Sequence, residues 1–187
     1  MEIAIVTGAS SGLGREFVLQ LDQSENLDEM WVIARRRERL EELRSAVKTP
    51  LRIFALDLTS PDSIQELSDA LNSQSPAIRI LINAAGFGKI GSYRDIAAID
   101  CSHMIDLNCR AAVMITQISL PFMNRGSRIL EICSTAAFQP FPYLNIYSAT
   151  KAFLYRYTRA LRIELLGSGI SATAVCPYWI RDTEFIG

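Results

Sequence analysis

Histidine is almost absent from this chain: His103 is the only one in 187 residues. By itself this lone histidine supports neither a zinc site nor a Ser-His-Asp triad, which removes two large classes of hydrolase from consideration. Cysteine is sparse as well. Cys101, Cys109, Cys133 and Cys176 show no C-x-x-C or other metal-like spacing, so they read as reduced, mostly buried thiols, with no metal site expected. A catalytic thiol is the alternative, but no adjacent residue would obviously lower its pKa. Charge of one sign is missing too: 19 Lys+Arg stand against 20 Asp+Glu, a formal net charge of -1. That balance argues against a nucleic-acid or membrane-surface partner. No membrane span is expected, because the longest uncharged run, 111–124, is interrupted by Thr116, Gln117, Ser119 and Pro121 and falls short of the ~20 apolar residues required. The opening residues 1–6 carry no basic segment and lead at once into a glycine turn, so no signal peptide is read and a cytoplasmic protein is expected.

What remains is ordinary for a globular domain. With 49% hydrophobic and 21% charged residues, the composition predicts one domain spanning 1–187 that needs no disulfide or metal to hold its core. Short apolar runs at 2–6, 30–34, 52–56, 79–83, 127–133 and 171–176 read as strands. Between them, apolar residues recur at helical spacing over 12–21, 37–46, 61–71, 106–123 and 147–166. Such alternation predicts right-handed crossovers and a doubly wound parallel sheet, an α/β/α sandwich with ligands at the carboxyl ends of its strands.

Directly after the first strand comes Thr7-Gly8-Ala9-Ser10-Ser11-Gly12-Leu13-Gly14. A dinucleotide pyrophosphate would rest there on the exposed N–H groups of a helix N-terminus. Gly8 permits the tight turn, Gly12 the approach of backbone to phosphate, and Gly14 the close packing of helix on sheet. A ligand-free glycine-rich turn is the bland alternative. The second strand then runs into Arg35-Arg36-Arg37 with no carboxylate at its end. Three arginines at a helix N-terminus oppose the helix dipole unless an anion sits nearby. A 2′-phosphate would be that anion, with Arg35 best placed to meet it, so NADP(H) is favoured and NAD(H) is the alternative.

Among the tyrosines only Tyr147 has a lysine four residues later, Lys151, at the start of a helical run. The pair therefore shares one helix face. An ammonium beside a phenol favours the phenolate and lowers its pKa, which suits a proton donor to a developing alkoxide. Ser134 follows the fifth strand at its carboxyl end and can hydrogen-bond a reacting carbonyl oxygen; a loop or capping serine is the simpler reading. Asn108 is an isolated polar residue in an apolar helix, which points to a hydrogen-bonding task.

Together these residues resemble the short-chain dehydrogenase/reductase family. Thr7 to Gly14 is similar to its T-G-x-x-x-G-x-G motif, and Asn83-Ala84-Ala85-Gly86 to its N-A-G motif. Asp57-Leu58 resembles its adenine-contacting pair, and Asn108, Ser134, Tyr147 and Lys151 follow the order of its catalytic tetrad. The resemblance implies a Rossmann-type domain with Tyr147 as acid/base. It implies further that Lys151 holds the nicotinamide ribose and tunes Tyr147, that Ser134 orients substrate, and that Asn108 supports a water-linked proton path. By the same resemblance Ser10, Ser11, Leu13, Asn83, Ala84, Gly86, Pro177 and Thr183 join the cofactor contacts. Two departures stand out: Tyr178 follows Pro177 where the family often has glycine, and Thr183 falls about one residue late. The resemblance also leads one to expect a last helix and seventh strand that this sequence lacks.

The segment 138–144, Phe-Gln-Pro-Phe-Pro-Tyr-Leu, is apolar and aromatic for a loop, as are Tyr178 and Trp179. That favours an apolar carbonyl or alcohol substrate, with core packing or a subunit contact as the alternative. The two long helices are apolar around much of their circumference, in keeping with the family's homodimer or homotetramer. The expected activity is NADP(H)-dependent interconversion of a ketone or aldehyde and an alcohol. A catalytically silent nucleotide-binding sensor or scaffold is the rival, while sugar-nucleotide epimerases are disfavoured because their turn reads T-G-x-x-G-x-x-G.

Overall fold

The apolar runs become one parallel sheet. β1 (Glu2–Thr7), β2 (Glu29–Ala34), β3 (Leu51–Ala55), β4 (Ala77–Asn83), β5 (Met123–Ile132) and β6 (Ser171–Val175) lie in the order β3-β2-β1-β4-β5-β6. The computed structural model describes residues 1–180. Strand residues alternate between two cores because successive side chains leave opposite faces of a strand. Ile3, Ile5, Trp31, Ile33, Leu81 and Ile129 pack with Ile64, Leu67 and Leu71 of α3 (Pro61–Gln74). Ala4, Val6, Val32, Ile80 and Ile82 instead meet Val18 and Leu21 of α1 (Gly12–Ser24) and Leu40 and Leu43 of α2 (Arg37–Arg44). The doubly wound architecture read from the sequence is thus the observed one. Leu40, Leu43, Leu67 and Leu71 are all fully buried, and truncating any of them to alanine would cost about 2–5 kcal/mol.

The helix expected at 106–123 is corrected at both ends. It begins earlier, as α4 (Ala98–Ile105), passes through a π-helical stretch (Asp106–Ala111), and continues as α5 (Ala112–Ser119). The π stretch shifts the apolar stripe out of its 3.6-residue period, so the first half does not read as a continuation of the second. Pro121 then stops the helix in a short 3-10 turn (Leu120–Phe122), and Met123 already pairs with Ile78 of β4. Register resumes only at Arg128 opposite Ile80. The extra residues bulge around Gly126 (φ 91°), pinned where Ser127 Oγ donates to the Ile78 carbonyl at 2.7 Å. The last helix, α6 (Asn145–Glu164), starts two residues before Tyr147.

β1 has β2 on one side and β4 on the other, with the crossovers leaving in opposite directions. The crevice above its carboxyl end is the switch point at which such sheets bind ligands.

Candidate active site

The glycine turn sits on that switch point and is locked to the turn after β4. Thr7 Oγ1 accepts from the Ala84 and Ala85 N–H groups at 3.1 and 3.0 Å. Gly8 has φ 70°, and a Cβ there would lie 2.8 Å from Ala85 N. At Gly14 a Cβ would come within 2.3 Å of the Gly8 carbonyl oxygen. Side chains are thus excluded at both positions, which brings the start of α1 down onto the sheet. Ser11 is the N-cap residue, yet its hydroxyl does not cap the helix. It accepts instead from Arg36 Nη2 at 3.0 Å, and Ser10 Oγ accepts from the same nitrogen at 3.1 Å. An uncapped helix N-terminus beside a guanidinium is chemically an anion seat. Leu13 is half-buried against the core under α1.

Of the three arginines after β2, the sequence reading favoured Arg35, whereas Arg36 is the one that bonds the glycine turn. Arg35 is exposed and acts on Asp57 across the mouth of the crevice. Burial pushes the Asp57 carboxyl up, but the N–H and hydroxyl of Thr59, then Arg35 and His103, hold it below its ordinary value. Leu58 is turned into the core and is 3% exposed.

The chemical groups gather at the carboxyl ends of β4, β5 and β6. Ser134 follows β5, accepts from the Ala136 N–H at 3.1 Å as the cap of a 3-10 turn (Thr135–Phe138), and hydrogen-bonds the Tyr147 side chain. The capping reading of Ser134 is observed, and the same residue also meets the Tyr147 side chain. Pro177 lies alongside, its carbonyl accepting from the Thr135 N–H at 3.0 Å. Thr183 lies outside the described residues.

Asn108 sits in the π stretch and is 1% exposed. Its Oδ1 accepts from the Phe87 N–H at 3.0 Å, and its Nδ2 donates to the Phe87 carbonyl at 2.9 Å and to Thr150 Oγ1 at 3.1 Å. Thr150 in turn donates to the Tyr147 carbonyl at 2.7 Å. The hydrogen-bonding task read from the sequence is real: Asn108 ties the loop after Gly86 to the turn of α6 that carries Tyr147.

Lys151 is buried, and its Nζ donates to the Ile132 carbonyl at 2.7 Å while lying 5.8 Å from the centre of the Tyr147 ring. The expectation that this ammonium lowers the Tyr147 pKa is corrected. Burial pushes the phenol above its ordinary value, and the Ser134 hydrogen bond offsets only part of that. Burial also holds the Lys151 pKa down. Gly86 leaves the way to Lys151 open: a Cβ there would stand 3.0 Å from Asn108 Oδ1 and 3.4 Å from Lys151 Nζ.

One residue escaped the sequence reading. Glu131 is fully buried in β5, where its Oε1 accepts from Asn83 Nδ2 at 2.9 Å and from Thr116 Oγ1 at 2.8 Å. Asn83 Nδ2 also lies 2.9 Å from Thr116 Oγ1, so β4, β5 and α5 share one polar knot. Burial pushes the Glu131 carboxyl up to about 7. Within the strand it reads as one polar position in an apolar alternation, and only tertiary burial reveals it.

Sheet order, switch-point crevice and glycine turn define a dinucleotide-binding α/β protein. Residues 2–186 match the family described as short chain dehydrogenase, and the chain belongs to that family of oxidoreductases. It is 34% identical over 187 residues to the NADP-dependent 3-hydroxy acid dehydrogenase YdfG of Escherichia coli strain K12, covering 98% of this chain and 74% of the relative. The closed form of a serine dehydrogenase complexed with NADP+ superposes with a TM-score of 0.87 at 32% identity, again over 98% of this chain and 74% of the other. A bulky-bulky ketone specific alcohol dehydrogenase from Comamonas testosteroni gives 0.86 at 28% identity, over 97% and 74%. Among the described residues no helix is long and apolar enough to cross a membrane, and no cluster of three or more ligating side chains is suited to a metal ion.

Proposed function

We propose that this chain interconverts a ketone or aldehyde and the corresponding alcohol with NADP(H), using Tyr147 as the proton-transferring group. The observation that carries the reading is the Tyr147–Ser134 hydrogen bond, with Lys151 one helical turn on, at the strand ends that border the glycine turn. The residues present fit the cofactor. The Gly8–Gly14 cradle excludes side chains, α1 starts without a side-chain cap, and Gly86 leaves room in front of Lys151. Residues Gly8, Ser10, Ser11, Gly12, Leu13 and Gly14 would seat the pyrophosphate, with Asp57 and Leu58 beside the adenine. Asn83, Ala84, Gly86, Lys151 and Pro177 would line the nicotinamide end. Arg36 and Arg35 would meet the 2′-phosphate, in keeping with the NADP named for two of the relatives.

When bound, the dinucleotide supplies or accepts the hydride. Ser134 Oγ donates to the carbonyl oxygen and holds it beside Tyr147 Oη. As negative charge develops on that oxygen, Tyr147 gives up its proton; in the reverse direction it takes the proton of the alcohol. Because burial raises its pKa, Tyr147 is protonated at neutral pH and ready for reduction, and alcohol oxidation speeds up as the pH rises. Asn108 positions the helix turn behind Tyr147 and anchors the proton path. Phe138, Tyr143, Tyr178 and Trp179 are exposed around the described rim and suit an apolar carbonyl substrate. Met114, Phe153 and Ile163, exposed on α5 and α6, fit a homo-oligomeric contact.

A carbonyl panel assayed with NADPH, wild type against Tyr147→Phe, tests the reading. Turnover that falls by about a thousandfold with cofactor binding retained supports it. Cofactor binding with no Tyr147-dependent turnover of any carbonyl would instead point to a nucleotide sensor.

A further inference from the structure

Lys151 carries a positive charge into the interior, and among the described residues no carboxylate bonds it directly. It is 3% exposed, and its one hydrogen bond among the described residues runs to the Ile132 carbonyl. The titratable groups that act on it come from three elements: Cys109 in the π stretch, Cys133 and Glu131 at the end of β5, and Cys176 after β6. Tyr147, on its own helix, presents the ring already described. Burial pushes the Cys109 thiol up to about 11 and the Cys133 thiol up to about 12, and that of Cys176 is also raised. These thiols are neutral at physiological pH. Glu131, pushed up to about 7, is the one group of the set that becomes an anion as the pH rises through neutrality.

The geometry on the Glu131 side is equally closed. Asn83 from β4 and Thr116 from α5 hold its Oε1, while Oε2 is buried without a hydrogen-bond partner. The titratable groups facing it are Lys151 and Tyr157 from α6 and Cys133 on its own strand. An ionised carboxylate in that setting is expensive unless a cation shares the cavity's field. Neither group bonds the other directly; Glu131 immediately precedes the residue whose carbonyl Lys151 grips.

We propose that Glu131 is the buried counter-charge that keeps the Lys151 ammonium protonated, and so acts as a positioning residue for the cofactor-side cation. The inference rests on the reading of Lys151 given above. Its physical content is a coupled titration: the anion at Glu131 favours the ammonium at Lys151, and the ammonium favours the anion.

With three lysines in the chain, Lys48, Lys89 and Lys151, protein labelled with 13C at lysine Cε gives few enough signals for each to be followed against pH without cofactor or turnover. In wild type the Lys151 signal should show a first inflection near 7, where Glu131 titrates, and a second at its own midpoint. Glu131→Gln should erase the first and lower the second by about one pH unit, with the alkaline limb of the kcat/KM profile moving in step. An unchanged Lys151 midpoint in a folded Glu131→Gln protein would overturn the proposal. If that variant does not fold, absence of the inflection near 7 in wild type does so alone. A Lys151 midpoint that moves while the kcat/KM profile stays put would uphold the charge coupling and contradict the catalytic role of Lys151.

Discussion

Arg36 Nη2 lies 3.0 Å from Ser11 Oγ, so the segment after β2, where the chain turns basic, is tied to the N-cap residue of α1. A guanidinium so placed puts a fixed positive charge beside an anion resting on the same turn. Arg36→Ala should therefore raise KM for NADPH by about tenfold and leave KM for NADH nearly unchanged, with a smaller effect from Arg35→Ala. Equal losses for both cofactors would remove the phosphate role from Arg36.

Gly14 is the tightest point of the cradle. A methyl group there would have to displace the Gly8 carbonyl oxygen, only 2.3 Å away, and backbone on both sides cannot yield cheaply. Gly14→Ala should cost about 3 kcal/mol, read as a fall in Tm, and should weaken NADPH binding in whatever fraction folds. A variant with wild-type Tm and affinity would show that the close approach is not required.

Asn108 satisfies both backbone groups of Phe87 and one side-chain hydroxyl. Replacing it with alanine leaves buried polar groups unpaired, at about 1–3 kcal/mol. The expected result for Asn108→Ala is a lower Tm together with a kcat reduced more than KM, since the turn carrying Tyr147 loses its anchor. A loss confined to Tm would reduce Asn108 to a structural role.

Glu131 has a folded-state pKa of about 7 against an ordinary value of 4.5. The folded protein thus holds that proton more tightly than the unfolded chain. The associated stability is fully present below 4.5 and is lost as pH rises through about 7, by roughly 3 kcal/mol. Chemical denaturation at a series of pH values should show wild type losing that amount relative to Glu131→Gln. Parallel curves for the two proteins would place Glu131 in a more solvated setting than its burial suggests.

Much of the site was legible because its chemistry is local. The Gly8 to Gly14 spacing follows an apolar strand, and Tyr147 and Lys151 are neighbours on one helix face, so residue order alone locates them. What was not legible depends on tertiary placement. Which of two adjacent arginines reaches the turn is decided by side-chain direction at the end of β2, and Arg36 rather than Arg35 points there. Glu131 looks like the polar half of an alternating strand until α5 closes over it. The helix containing Asn108 loses its period at the π stretch, which hid residues 98–105. The Tyr147 shift ran opposite to expectation because burial, which spacing does not show, outweighs the Ser134 hydrogen bond.

The most direct measurement follows the hydrogen itself. Wild-type protein is incubated with a carbonyl substrate from the panel and NADPH carrying deuterium at the transferable C4 position, and the product alcohol is examined by mass spectrometry. The account predicts deuterium on the former carbonyl carbon for wild type and almost none for Tyr147→Phe. NADPH that binds yet delivers no deuterium to any carbonyl, or delivers it equally well without the Tyr147 hydroxyl, would contradict it.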